Sequence, residues 1–358
     1  MSELQYHSVN IPFDGNSTGS ADISHFEKRR GDIYLKVSGE YLITINKFNL
    51  PSNKLPLFIF PIEQNQADPN KSELTVTLTY NNAGVTEYFK KELEYFSLNN
   101  DVAPTTAIPK QIINNEYYYV FSYAHMLDIV NNALEAAHTD LITAHGGAPS
   151  EAPYFLYDAE AGLFKLVTQY AYLTPIATPG GVGIFMNHKL EKYFTGFPFF
   201  YNTPNDANGI DRQIIPDGRS PYAPPGTVLP TLPILPDYVL TTQEFSSFGY
   251  WNSLQNIVFT TTRIPVIAET IQNQNEHEMN EDSILTEFTP YMPNAGDGRG
   301  IQVFQVEGER NWINLSGTGP LDQINFRVDW RDDKNVLRPL KIGYGGAVRV
   351  QFLFKFNN

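Results

Sequence analysis

Strict alternation of apolar and polar side chains near the C-terminus constrains this chain more than any other feature. Ile324, Phe326, Val328 and Trp330 alternate with Asn325, Arg327 and Asp329. Val348, Val350, Phe352 and Phe354 alternate with Arg349, Gln351 and Lys355. A period of two places the two sets on opposite faces of a strand. One apolar and one polar face is the pattern of an antiparallel sheet, because parallel sheets bury both faces. Trp330 is therefore expected to point into the interior. Asp332, Asp333 and Asn335 supply turn chemistry between the two runs, and Gly343, Gly345 and Gly346 break the chain before the last one. Val336 to Ile342 carries Pro339 and is compatible with an edge strand. A terminal strand this apolar has to be locked into a sheet, since a free edge of that composition aggregates.

The preceding chain is mostly of the same kind. Residues 1–30 are polar and aperiodic, the pattern of a flexible or draped arm. Asp32 to Lys47 reads as strand, with Gly39 as a bulge or turn. Leu57 to Ile62 is a short apolar run. Glu73 to Tyr80 alternates, Asn81-Asn82-Ala83-Gly84 signals a tight turn, and Val85 to Phe89 forms the return strand. One segment departs from this. Tyr123, Met126, Leu127, Val130, Ala133, Leu134, Ala137 and Leu141 follow the i, i+3, i+4, i+7 spacing of an amphipathic helix, placed at 122–143. Ser122 is its expected N-cap and Gly146 its expected stop. Ala152 to Tyr172 and Gly183 to Tyr201 supply two or three further strands. Asn202 to Asp237 holds eight prolines and is expected to lie outside regular structure. Tyr238 to Ile267 is strand-like again, and the acidic, amide-rich Glu269 to Asp282 reads as a loop.

The sum is about eight to ten strands, one long helix and long loops, which fits an all-β fold. The expected architecture is an antiparallel β-sandwich, a jelly roll, with a loop-rich insertion. The division drawn from these patterns is an arm over 1–30, the first part of the jelly roll over 31–175, a Pro-rich insertion over 176–240 and the rest of the jelly roll over 241–358. Tyr250 and Trp251 are assigned to the core.

Composition removes several functions. The chain has 358 residues and no cysteine, which excludes thiol catalysis and thiolate metal sites. Its formal net charge is −14, which argues against direct coating of nucleic acid. Met1 to Ser20 lacks the apolar core of a secretory signal, and no run approaches the length of a membrane span. Gly180-Gly181-Val182-Gly183 lacks the lysine of a phosphate loop and reads as a turn, and no GxSxG elbow occurs. His125 and His138 lie thirteen residues apart on the helix, not the four of a zinc pair, and read as structural histidines. Glu276-His277-Glu278 offers oxygen ligands without calcium-loop spacing and reads as an acidic surface loop. No catalytic residue, cofactor site or metal site is assigned. The low charged fraction of 18% beside 13% aromatics fits a protein that hides surface in subunit contacts. Tyr222, Pro224 and Pro225, in the proline-rich stretch, are the interface candidates. Aromatic and acidic side chains together would also suit a carbohydrate-binding or attachment sandwich.

The residues from Arg310 to Asp332 read Arg-x-Trp-Ile-x-Leu-x-x-x-Gly-Pro-Leu-x-x-Ile-x-Phe-x-Val-x-Trp-x-Asp, followed by Arg338-Pro339-Leu340, Gly343 and a Phe-rich last strand. This order resembles the C-terminal half of the minor, penton-type jelly-roll capsid proteins of Polinton-like viruses and virophages. Glu116 to Leu141 is also similar to a segment of small eukaryotic-virus capsid proteins. The resemblance implies a structural virion protein that stands at the capsid vertex as a homopentamer and contacts the major capsid protein. A host-surface receptor or glycan is a further partner it admits. The other readings are a glycan-binding sandwich and the coat protein of a small RNA virus.

Overall fold

The computed structural model describes residues 4–12, 25–29, 34–51, 57–62, 68, 70–98, 118–147, 149–200, 211–216, 238–251, 256–267, 269–272, 279–288, 301–305, 312–331, 337–339 and 347–357. The chain divides into two compact units. One is continuous, Leu57–Asn252; the other joins Met1–Pro56 to Ser253–Asn358.

Among the described residues, eight longer strands frame the discontinuous unit. They are β1 (Leu4–Pro12), β2 (His25–Arg29), β3 (Tyr41–Pro51), β4 (Asn256–Thr261), β5 (Met279–Phe288), β6 (Ile301–Gln305), β7 (Gln323–Arg331) and β8 (Ala347–Phe356). One antiparallel sheet has the order β1-β8-β3-β6, the other β5-β4-β7-β2. The first strand lies beside the last, and the chain passes repeatedly from one sheet to the other. That connectivity is a jelly roll. The second unit enters between β3 and β4.

The C-terminal alternation sets this core. Ile324, Phe326, Val328 and Trp330 are all buried, as are Val350, Phe352 and Phe354. Rings interlock between the sheets: Phe48 lies 4.9 Å edge-on to Phe259, Phe259 lies 6.1 Å from Phe326, and Phe326 lies 5.3 Å from Phe352. In β3 the pattern shifts by one residue between Ile45 and Phe48. A bulge there sets Gln351 opposite Lys47 but Phe352 opposite Ile45, and the intervening Asn46 donates from Nδ2 to Gln351 Oε1 at 2.8 Å. The bulge lets Ile43, Ile45 and Phe48 all be buried.

The polar face of β7 is not wet throughout. Asn325 and Asp329 are buried, only Arg327 among the three being exposed. Both buried groups are satisfied. Thr261 Oγ1 and the Arg263 N–H donate to Asn325 Oδ1 at 2.9 and 3.0 Å, and Asn325 Nδ2 donates to Thr262 Oγ1 at 2.7 Å. Arg327 Nε donates to Asp329 Oδ1 at 2.8 Å. Asn325 thus fastens the turn that follows β4.

Residues 1–30 are more than an arm. β1 pairs with β8 from Leu4↔Lys355 to Pro12↔Ala347, and β2 pairs with β7. Their polar sequence hides this because the pairing is supplied by the apolar partner strand, a tertiary effect on a weak local preference. Strand β3 begins only at Tyr41, after a 3-10 turn at Ser38–Glu40 that contains Gly39. The expected loop 269–282 is also part strand, with Glu269–Gln272 paired to the start of β5.

The continuous unit has its own layers. A five-stranded antiparallel sheet runs in the order Phe199–Phe200, Asp211–Ile214, Val182–Asn187, Lys71–Asn82, Val85–Glu94. A three-stranded one runs Tyr238–Thr242, Leu163–Gln169, Tyr154–Asp158. Helix α1 (Tyr123–His145) packs on Lys71–Asn82, Val85–Glu94 and Tyr154–Asp158. Its apolar stripe, Met126, Leu127, Val130, Leu134, Ala137 and Leu141, joins Leu78, Phe155, Leu166 and Ile184 in one core. Ser122 Oγ accepts from the His125 N–H at 3.1 Å, and Gly146 ends the helix at φ +59°, its N–H on the Ile142 carbonyl. The hairpin turns through Ala83 and Gly84, both at positive φ, the twist that tight β-turns require. Asp211–Ile214 forms a strand inside the stretch expected to lack one, paired to Val182–Asn187.

These observations move the boundary of the insertion. Strands and helix between 57 and 175, assigned by sequence to the sandwich, close on one another in the continuous unit. Period alone tells strand from helix but not which sheet a strand will join.

One sheet edge is closed by a side chain. Asn131 of α1 accepts the Phe155 N–H at 2.7 Å and donates to the Phe155 carbonyl at 3.0 Å, taking the place of a neighbouring strand along Tyr154–Asp158. Replacing Asn131 by alanine should cost about 1–3 kcal/mol through the two orphaned backbone groups, read by chemical denaturation. Trp330→Ala should cost about 3–5 kcal/mol in the jelly roll. An unchanged midpoint in the same titration would show that Trp330 does not fill the core.

Candidate assembly surface

With no catalytic or metal constellation assigned from the sequence, the exposed apolar and charged groups are the functional candidates. Tyr222, Pro224 and Pro225 lie outside the described residues, and so does Glu276-His277-Glu278. Trp251 is in the core as expected, its Nε1 donating to the Tyr193 carbonyl at 2.7 Å. Tyr250 is not: it is 61% exposed. The two residues are neighbours at a 3-10 turn, which points successive side chains in different directions.

Both helix histidines serve the scaffold. His125 Nε2 lies 2.8 Å from the Phe96 carbonyl, and His138 Nε2 lies 2.9 Å from that of Pro149. Each is buried and ties a neighbouring segment to α1. Burial holds the His125 imidazole below its ordinary pKa of 6.5, against the smaller opposing effects of the Phe96 carbonyl and Asp128. At the helix end, His145 Nε2 meets Glu87 Oε2 at 2.9 Å and its ring stacks on Tyr80. Asn82 and then His145 hold the Glu87 carboxyl below its usual range by hydrogen bonding. Among the described residues, no group of three His, Cys, Asp or Glu is arranged to hold a metal ion.

The most developed surface lies on the outward face of the three-stranded sheet. Alternation along Tyr154–Asp158 buries Phe155 and exposes Tyr154 and Leu156. Register sets Tyr154 beside Val167 and Val167 beside Leu240, and sets Gln169 beside Tyr238. The residues before the sheet fold onto its end. Gln169 Oε1 accepts the N–H groups of Ser150 and Glu151 at 2.9 and 3.2 Å, and Gln169 Nε2 donates to Ser150 Oγ at 2.8 Å. The buried Tyr172 hydroxyl donates to the Glu151 carbonyl at 3.2 Å, and burial raises its pKa far above the ordinary value. Glu151 presents its carboxylate to the Tyr238 hydroxyl, which donates to it and is thereby held above its ordinary pKa. The Tyr154 phenol is close enough to act on Tyr238 electrostatically. At the far end of the face Lys165 pairs with Asp158 at 2.5 Å. Sequence reading singled out none of these residues, since only the register brings 150–154, 169 and 238 together.

The family described as Sputnik minor capsid protein V18/19 matches residues 6–356, both units included. The chain belongs to this family. It is 28% identical over 208 residues to structural protein V19 of Sputnik virophage, covering 56% of this chain and 92% of that one. It is 27% identical over 153 residues to the virophage's protein V18, described as uncharacterized, covering 42% of this chain and 89% of V18. A chain of the 3.5 Å cryo-EM structure of the Sputnik virophage superposes with a TM-score of 0.79 at 23% identity, over 99% of this chain and 98% of that one. The mavirus penton protein superposes with a TM-score of 0.64 at 17% identity, over 98% and 99%. Members of the V18/19 family are structural capsid proteins, and this one is a virion component and not an enzyme. The fold it shares with these chains includes the continuous unit as well as the jelly roll. No helix among the described residues is long and apolar enough to cross a membrane.

The state of His125 makes a pH prediction for this capsid protein. Between its lowered native pKa and 6.5 the unfolded chain binds a proton that the folded chain refuses, so stability is complete above that window and is lost as pH falls through it. Melting temperatures measured between pH 7.5 and 5 should decline below pH about 6.5, and His125→Gln should flatten that decline.

Proposed function

We propose that this minor capsid protein forms the icosahedral vertex as a homopentamer and seats against the major capsid protein. The observation that carries the reading is the full-length fold likeness to the mavirus penton protein, jelly roll and insertion together. A ring of five needs two different complementary patches on each subunit, because a head-to-tail contact closes only by rotation. The exposed apolar side chains Val85, Leu98, Phe200, Phe245 and Ile267 lie on several elements of the two units and supply material for more than one such patch. Tyr222, Pro224 and Pro225 are assigned to the contacts as well. The net charge of −14 supports a role in the shell without direct coating of the genome.

Co-expression with the cognate major capsid protein, followed by cryo-EM, tests the assignment. The expected result is density for five copies at each five-fold position. Particles carrying the chain only at other positions, or none at all, would refute it. Tyr222→Ala combined with Pro224→Ala and Pro225→Ala should reduce incorporation into particles while leaving the melting temperature of the free chain unchanged.

A further inference from the structure

We propose that the cluster formed by Ser150, Glu151, Tyr154, Gln169 and Tyr238 is a binding site for a neutral hexose at the end of a glycan. Three observations on the outward face of the three-stranded sheet lead there. First, the polar groups are already fixed. Gln169 bonds Ser150, the Glu151 N–H and the Tyr238 hydroxyl, and Tyr172 donates to the Glu151 carbonyl. The Glu151 carboxylate therefore stands at a defined place with one oxygen on the Tyr238 hydroxyl and further lone pairs directed to solvent. Preorganised acceptors of this kind bind hydroxyl donors with little ordering cost.

Second, apolar surface adjoins them. Tyr154 is 37% exposed, Leu240 is half-buried, and Val167 between their strands is only 4% exposed. A pyranose has one face of C–H groups and a rim of hydroxyls. The C–H face would lie on the exposed Tyr154 ring, which Val167 supports, while rim hydroxyls donate to Glu151.

Third, the charge selects the ligand. Among the described residues no basic side chain pairs with Glu151: its carboxylate meets a phenol, its backbone meets Gln169 and Tyr172, and Lys165 on the same face is committed to Asp158. An unneutralised carboxylate attracts hydroxyl donors and repels sialic acid, sulfate and phosphate. A neutral sugar is the chemistry that fits.

The site does not depend on the vertex reading, and the two fail separately. The test is binding of the purified full-length chain to an array bearing neutral, sialylated and sulfated oligosaccharides, with calorimetry on the strongest neutral ligand. The expected result is selective binding to a neutral terminal hexose. Glu151→Gln, Tyr238→Phe and Tyr154→Ala should each weaken it by about tenfold or more. Tyr88→Ala, an exposed tyrosine on the other sheet of the unit, should leave it unchanged. All four variants should keep the wild-type melting temperature. Absence of neutral-glycan binding at millimolar ligand, preference for acidic glycans, or equal loss in Tyr88→Ala would overturn the proposal. So would variants in the cluster that bind normally but no longer enter particles, since that outcome makes the patch a capsid contact.

Discussion

The jelly roll depends on the pairing of β8 between β1 and β3. Nine residue pairs join β8 to β1 on one side, and on the other β8 runs along β3 from Arg349 to Phe356. Residues 4–12 and 347–356 thus meet in one sheet. Contacts between residues 335 to 351 positions apart, as in the β1–β8 ladder, carry a large entropic cost before they return any energy. The continuous unit has no such obligation, because its hairpin, helix and three-stranded sheet are contributed by Leu57–Asn252 alone. The topology thus separates a locally closed piece from one that closes only when the C-terminus arrives.

Once closed, the sandwich is held by large rings and by buried polar groups with assigned partners. Phe48, Phe259, Phe326 and Phe352 form a continuous edge-to-face and tilted series from one sheet to the other. Such contacts fix geometry more narrowly than aliphatic packing, because ring quadrupoles discriminate between orientations. Asn325 adds a second kind of precision. Its amide is bonded to Thr261, Thr262 and the Arg263 N–H at once, so one side chain sets the position of the whole turn. The same economy appears in the other unit at Asn131, where one amide satisfies both backbone groups of Phe155 on the outer strand of its sheet. In a protein destined for assembly, closing unwanted edges matters as much as exposing wanted patches.

What the sequence reveals follows from where the information is stored. β7, β8, α1 and the hairpin at Ala83-Gly84 are visible because period, cap and turn chemistry are local. β1 and β2 are invisible because their partners supply the order. Bulges blur the rest: the register shift at Asn46 makes β3 look irregular although Ile43, Ile45 and Phe48 face one core. The extent of the continuous unit, Leu57–Asn252, is not marked in the sequence for a similar reason, since a strand's own side chains do not state which sheet will accept it. At the surface the limit is sharper. The patch around Glu151 is assembled from residues 150–154, 169 and 238 by strand register and by one glutamine. Nothing in the spacing of those residues along the chain marks them as neighbours.

The position of the insertion ties these strands of argument together. It leaves and re-enters the jelly roll between β3 and β4, strands that belong to different sheets, so it lengthens one sheet-to-sheet crossing and leaves every ladder of the sandwich intact. The continuous unit carries its own core, so a substitution on its surface leaves the ladders of the sandwich untouched. Substitutions at Tyr154, Leu156 or Tyr238 alter a solvent-facing surface whose support, Phe155, Leu166 and Asn131, faces the other way. Solvent-facing residues and residues that hold the fold alternate along the same strands, so the surface of a capsid protein can change while its fold stays.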